Sequence, residues 1–257
     1  MLVTLATRTF TPEPTAAALR LGALARALAA GGDTVRVLTS RLAPSVARDT
    51  RQSADGGVDA GEGGSIISVR RAPVLRDRTG AVRGYVSYMS FDVPLVARLL
   101  TGPRPDIVVS EPPPTTGAAV RIACALRRIP YVYYCADIVS DAAALAGVPG
   151  LVVRTVAGLE SFALRGARRV IAVSDGVARR ARDLGARDVT VVPNGVRVPD
   201  VVATGTPEGF PACDGPVFVY AGTVAQWLAP EIFVDAFELA RARLGDARLV
   251  FVGQGSG

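Results

Sequence analysis

The 257-residue sequence has no histidine and no lysine, and all 29 of its basic residues are arginine. Without histidine there is no Ser-His-Asp hydrolase and no histidine-ligated metal site. Without lysine there is no Schiff base and no P-loop of the lysine-containing kind. Cysteine is scarce: Cys124, Cys135 and Cys213 are odd in number and far apart, with no C-x-x-C pair. Neither a disulfide framework nor a zinc site is expected; buried, reduced thiols are. No apolar run reaches membrane-spanning length, and the apolar start at residues 1–6 is too short before Arg8 to be a secretion signal. The expectation is a cytosolic protein.

What is left for chemistry is carboxylates, hydroxyls, arginines and backbone N–H groups. Such an inventory suits binding and orienting a phosphorylated ligand better than proton shuttling near neutral pH. Apolar residues make up 49% of the chain, which argues for a globular fold, and the length allows one large or two smaller domains. The formal charge of +6 invites a nucleic-acid reading, above all at Arg165, Arg168 and Arg169 and at Arg179, Arg180 and Arg182. No nucleic-acid motif or interleaved aromatics accompany them, so solvated faces are expected and no nucleic-acid partner is. Attraction to anionic phosphate or lipid is the more modest inference.

The stretch from Val189 to Gly222 organises the rest. Residues 189–192 form a short apolar strand that Pro193 stops, and Asn194-Gly195, containing the sole asparagine, turns the chain. A hairpin is disfavoured because residues 198–215 carry Pro199, Gly205, Pro207, Gly209, Pro211 and Gly215, which is linker composition. Before this point strand and helix alternate. Strands are expected at 2–6, 34–38, 65–69, 106–110, 131–134 and 170–173. Helices are expected at 15–30, 85–100 (with Pro94 as start or kink), 117–127, 152–164 and from Ser174, as cap, to 184. Residues 43–64 read as a surface loop. Near-continuous apolar strands joined by helices indicate an α/β fold with a parallel sheet covered on both faces, whose ligands bind beyond the carboxyl ends of the strands.

Those strand ends supply the candidates. Residues 7–15, after the first strand, contain no glycine, which disfavours a dinucleotide-binding dehydrogenase. Thr15 is placed to cap the helix behind it, and the free N–H groups there equally suit an anion. After the fourth strand, Glu111 precedes the stiff Pro112-Pro113-Pro114 turn, either solvated or at a site. After the fifth, Asp137 and Asp141 lie within one turn at the mouth of the sheet. Asp137 either accepts hydrogen bonds from an acceptor hydroxyl or orders its loop; the first is favoured because such rims are where sites are built.

In this order and spacing, several pieces carry a resemblance: Pro12-Glu13-Pro14-Thr15, the Asp137 loop, Ala172-Val173-Ser174 with its helix, Val192-Pro193-Asn194-Gly195-Val196, Tyr220-Ala221-Gly222-Thr223 and Phe251-Val252-Gly253-Gln254-Gly255. The sequence resembles the family-4 glycosyltransferases of GT-B fold across nearly its whole length. The resemblance implies an N-terminal Rossmann-like domain, residues 1–196, that recognises the acceptor through Glu13, Thr15, Glu111, Asp137 and Asp141. It further implies a linker, 197–215, and the start of a second Rossmann-like domain, 216–257, that holds a nucleotide-sugar at Gly222, Thr223, Gly253 and Gly255. Transfer would be retaining, with no metal and no cofactor beyond the nucleotide-sugar substrate. The acceptor would be a glycan or a lipid-linked sugar.

The sequence departs from the family at Ala16, where a glycine is common, at Ala136, where histidine or arginine often stands, and at Arg197, in place of an acid. After Gly215 only one β-α-β unit is expected, and the basic residue and paired glutamates that grip the donor in the family are not encoded. The expectation is therefore a truncated, inactive chain; the alternative is a non-catalytic binding or assembly module. A peripheral contact with an anionic membrane at the inner face is expected at Arg70, Arg71, Arg76, Arg78 and Arg83, beside Tyr85, Tyr88, Met89 and Phe91. A core-packed helix with solvated arginines is the competing reading.

Overall fold

The structure, a computed structural model, describes residues 1–44, 46–47, 67–77, 82, 84–195, 205, 210, 213–222, 224 and 229–253. The chain divides into two compact units, Met1–Val196 and Arg197–Gly257.

The first unit is a seven-stranded, wholly parallel sheet built from β1 (Leu2–Ala6), β2 (Thr34–Ser40), β3 (Ile67–Ala72), β4 (Ile107–Ser110), β5 (Tyr131–Cys135), β6 (Arg169–Ala172) and β7 (Val189–Val191). Its helices are α1 (Ala16–Ala30), α2 (Tyr85–Thr101), α3 (Pro114–Arg127), α4 (Val139–Leu145), α5 (Gly150–Gly166) and α6 (Asp175–Asp183). Parallel strands require crossovers, and the intervening helices provide them on both faces. One layer joins α1, through Leu21, Ala25 and Ala29, to Val3, Leu5, Val35 and Val37. The other joins α2, α3 and α5, through Phe91, Leu95, Val120 and Leu164, to Leu38, Val108, Tyr133 and Val170. The apolar runs of β1 and β2 are accordingly buried along nearly their whole length.

Strand order across the sheet is β3-β2-β1-β4-β5-β6-β7. From β1 the chain builds outward through β2 and β3, then returns to the other side of β1 to lay down β4. The direction of winding therefore reverses between β1 and β4. The loops leaving two such strands diverge to opposite faces and leave a crevice at the carboxyl edge. The register pairs Ala6 with Ser110, so Thr7 and Glu111, the next residues of each strand, meet at the floor of that crevice.

Several helix ends follow local rules. Thr15 caps α1 by accepting from Ala18 N at 3.1 Å, and Ser174 caps α6 by accepting from Val177 N at 3.3 Å. Pro94 lies inside α2 rather than at its start. α4, where the sequence pattern indicates no helix, has no side-chain cap of its own. Glu160 of α5, fully buried, supplies one from 20 residues away, accepting from Val139 N at 2.9 Å, Ser140 N at 3.2 Å and Ser140 Oγ at 2.6 Å. Negative charge is favoured at a helix N-terminus, where amides lack partners.

β7 runs parallel to β6, so the Asn194-Gly195 turn closes no hairpin. The second unit is a two-stranded parallel sheet, β8 (Val217–Ala221) and β9 (Arg248–Val252), crossed by α7 (Glu231–Leu244). Phe218 meets Phe237 at 6.1 Å between ring centroids, and Tyr220 meets Phe233 and Phe251, each at 5.2 Å. Even so, α7 buries no residue, and Ile232 and Phe233 remain 62% and 48% exposed. Trp227 lies outside the described residues. Among the described residues no helix is long and apolar enough to cross a membrane.

Candidate active site cleft

The crevice at the β1–β4 reversal opens into a cavity of about 500 Å³, lined among others by Arg8, Glu13, Thr15, Arg20, Arg76, Tyr88, Glu111 and Asp137. Its size is that of a small-molecule site. Glu13, Thr15, Glu111 and Asp137, which the sequence places after three different strands, therefore meet around one space. Asp141 does not join them. It sits in the first turn of α4 and holds Arg180 of α6 in a two-pronged ion pair, with Nε and Nη2 both within 3.0 Å of its carboxylate. That contact fastens α4 to α6.

Each carboxylate has its own surroundings. Glu13 is buried, accepts from Phe10 N at 3.2 Å and faces Arg76 at 3.5 Å; burial raises its pKa, with the Phe10 amide and Arg76 opposing. Asp137 is exposed to the cleft. Glu111 is buried rather than solvated, at 4% exposure. Burial pushes its pKa up to about 7, against the pull of the Thr7 hydroxyl, Arg20 and Arg8.

Thr7 is the hub of the hydrogen bonds on the crevice floor. Thr7 Oγ1 lies 2.8 Å from Thr9 O and 2.5 Å from Glu111 Oε1, and accepts from Thr9 N at 3.2 Å. One hydroxyl carries one proton, so it can donate to only one of those two oxygens. Its bond to Glu111 Oε1 ties the β1 and β4 loops together across the crevice floor.

The sequence reading missed Arg8, Arg20 and Tyr88 as cleft residues. Arg8 stands directly after β1, and Arg20 follows the Thr15 cap by five residues; their signal was an arginine beside each motif. Of the residues expected at a membrane contact, several have partners within the fold, whereas Arg70 is exposed. Phe91 is core, and Arg71 donates to Ser40 O at 3.1 Å and Thr11 O at 2.6 Å. Arg76 points to Glu13, and Tyr88 lies under Arg8 at 3.8 Å. Tyr85 is exposed; Arg78 and Arg83 lie outside the described residues. Of the basic runs weighed for nucleic acid, Arg169 pairs with Asp188 at 3.0 Å and Arg182 donates to Val189 O at 3.4 Å.

In the second unit Gly222 and Gly253 close the ends of β8 and β9, with Gly222 N donating to Val252 O at 2.9 Å. A Cβ on Gly253 would collide with the Gly222 carbonyl, so close backbone approach alone accounts for glycine there. Thr223 and Gly255 lie outside the described residues. Among the described residues no cluster of three or more metal-ligating side chains occurs.

No curated protein matches the sequence. Solved structures do match the fold. Sucrose-phosphate synthase from Thermosynechococcus elongatus superposes with a TM-score of 0.59 at 14% identity, over 98% of this chain and 70% of that one. Arabidopsis thaliana UGT89C1 complexed with UDP-L-rhamnose does so with 0.58 at 12%, over 99% and 68%. The lipopolysaccharide outer core galactosyltransferase WaaB, in its apo form, gives 0.56 at 13%, over 100% and 62%. The chain thus spans 62 to 70% of the length of these three proteins. At such identities the likeness establishes the fold, an α/β architecture with the Rossmann-like sheet of the GT-B glycosyltransferases. The model of the glycosyl transferase 4-like domain matches residues 15–195, from the cap of α1 to the Asn194-Gly195 turn, and the chain belongs to that family.

Proposed function

We propose that this chain serves a retaining glycosyltransferase that moves a sugar from a nucleotide-sugar to a hydroxyl of a glycan or lipid-linked acceptor. Residues 1–196 form the acceptor side, 197–215 the linker, and 216–257 belong to the donor side, with Gly222, Thr223, Gly253 and Gly255 assigned to the nucleotide-sugar. The observation that carries this reading is the convergence of Glu13, Thr15, Glu111 and Asp137 on one cleft at the reversal of strand order, in a chain of this family. UGT89C1, a structural neighbour, is seen with UDP-L-rhamnose, which supports a nucleotide-sugar donor.

In the reaction the bond between the sugar's anomeric carbon and the diphosphate breaks and a bond from the acceptor oxygen forms on the same face. The acceptor's proton leaves with the nucleotide diphosphate. Asp137, exposed in the cleft, accepts the hydrogen bond of the attacking hydroxyl and orients it. Glu111 stiffens the floor by accepting from Thr7 and so joining the β1 and β4 loops. In this reading the chain acts in the cytoplasm, at the inner membrane face when its acceptor is lipid-linked. A second reading, a non-catalytic module that docks on a partner, draws support from the exposed Ile232 and Phe233 of α7.

Saturation-transfer NMR of the 257-residue chain against a panel of oligosaccharides and short-chain lipid-linked sugars tests the acceptor site. At least one should bind, and Asp137→Ala should weaken it at least tenfold, about 1.4 kcal/mol. No binding across the panel, or equal binding by the variant, would sink the acceptor reading. Turnover of a nucleotide-sugar by the chain would exclude the docking module.

A further inference from the structure

The cleft contains more positive charge than its ion pairs consume. Arg76 faces Glu13 at 3.5 Å and also donates to Ser40 Oγ at 3.3 Å and to the Arg41 carbonyl. Arg8 and Arg20 have no such carboxylate partner: neither forms an ion pair within 4.0 Å among the described residues. Arg8 is only 7% exposed. Its Nε donates to Thr116 Oγ1 at 3.2 Å, its guanidinium stacks 3.8 Å over the Tyr88 ring, and its Nη2 is buried with no hydrogen-bond partner. Arg20 lies 5.8 Å from the Tyr134 ring centroid, and its Nε is likewise buried and unpartnered.

A guanidinium does not escape this situation by losing its proton. A buried N–H without an acceptor is an unmet demand, and here two of them, from β1's exit loop and from α1, border the same cavity. The cleft's carboxylates do not meet it: Glu13 is engaged by Phe10 N and Arg76, Glu111 by Thr7, and Asp137 forms no ion pair with either arginine within 4.0 Å among the described residues. Stacking on Tyr88 and the bond to Thr116 hold the Arg8 plane in place, so its free N–H is already oriented.

We propose that Arg8 and Arg20 form an oxyanion subsite that binds the phosphoryl group of the cleft's ligand through their unpartnered N–H groups. The proposal rests on the glycosyltransferase reading and narrows its ligand to a phosphorylated one. Planar, permanently charged guanidiniums match the spacing of non-bridging phosphate oxygens, and the low-dielectric floor strengthens the contact. Two sources share this chemistry: the diphosphate of the nucleotide-sugar and a phosphate carried by the acceptor.

Isothermal titration of the full chain distinguishes them, with UDP against uridine as one arm and citronellyl phosphate against citronellol as the other. At least one phosphorylated probe should bind while its neutral counterpart does not. Arg20→Gln, at a partly exposed position on α1, should weaken that probe at least tenfold, as should Arg8→Gln wherever it folds. UDP alone responding assigns the subsite to the donor, citronellyl phosphate alone to the acceptor, and both to a shared site; each supports the proposal. Absence of binding by both probes overturns it, as does full affinity in Arg20→Gln. A lower melting temperature in Arg8→Gln with unchanged affinity would also overturn it, because Arg8 would then only balance the buried Asp92, to which Thr116 links it by accepting from Arg8 Nε and donating to Asp92 Oδ1 at 2.6 Å. Phosphate binding without sugar transfer would leave this subsite standing and remove the transferase; sugar binding without phosphate binding would do the reverse.

Discussion

Glu111 shows how a single residue's chemistry depends on where the chain puts it. With no histidine in the sequence, a carboxyl whose pKa is raised to about 7 is the group that titrates nearest neutrality in the cleft. In the unfolded chain its pKa returns to 4.5, so between these values the folded protein holds more protons than the unfolded one. Stability is therefore fully supported below about pH 4.5 and falls as pH rises through about 7, by roughly 3 kcal/mol in all, then levels off. Glu111→Gln keeps an amide oxygen that accepts from Thr7 and cannot ionise. The variant should flatten this fall and be the more stable protein at pH 8, as read from urea denaturation between pH 5 and 8. A parallel decline in both proteins would show that Glu111 is not the titrating group. The sequence marked Glu111 as a rim residue but could not reveal its burial, which comes from β4 lying beside β1.

At the scale of elements, what could be read in advance follows the range of the interaction. Thr15 and Ser174 each cap a helix that begins at the next residue, and both were legible from the pattern alone. α4 was not, because a seven-residue helix is marginal by itself and its cap is a glutamate on another helix. Glu160→Ala should cost about 3 kcal/mol by leaving the amides of Val139 and Ser140 without their charged acceptor. Denaturation measures that cost, and hydrogen exchange should rise selectively over 137–145, the segment that carries Asp137. Uniform exchange changes would argue against a local role.

Gly117 gives a second case. A Cβ there would come within 2.6 Å of the Tyr133 ring and 2.8 Å of Ala163, so glycine is what lets α3 lie against β5 and α5. Gly117→Ala should destabilise by about 1–3 kcal/mol, measurable by thermal melting, because a buried ring and a helix have to move. In the sequence, Gly117 follows the Pro-rich turn and reads only as a helix start.

For the molecule as a whole, the two units differ in how much they bury. The first covers both faces of a seven-stranded sheet; the second has, among the described residues, two strands and one helix that buries no residue. Amides of β8 and β9 should exchange about 100-fold faster than those of β1, β4 and β5, because protection follows buried apolar contact. Native-state hydrogen exchange with mass spectrometry reads this directly, and equal protection would mean that the second unit has a core of its own.

The sequence by itself determined the alternation of strand and helix, the parallel sheet, the local caps and the exclusion of histidine and lysine chemistry. Those follow from periodicity and composition, which act over a few residues. Only the tertiary structure decided which strand ends become neighbours. The order β3-β2-β1-β4 brings Thr7 against Glu111 and assembles the Arg8, Arg20 and Asp137 cleft, whereas Asp141, four residues from Asp137, is turned away to Arg180. Strand order is set by how whole helices pack on the sheet's two faces, a sum over contacts between residues distant in the chain, and no short stretch of sequence carries it.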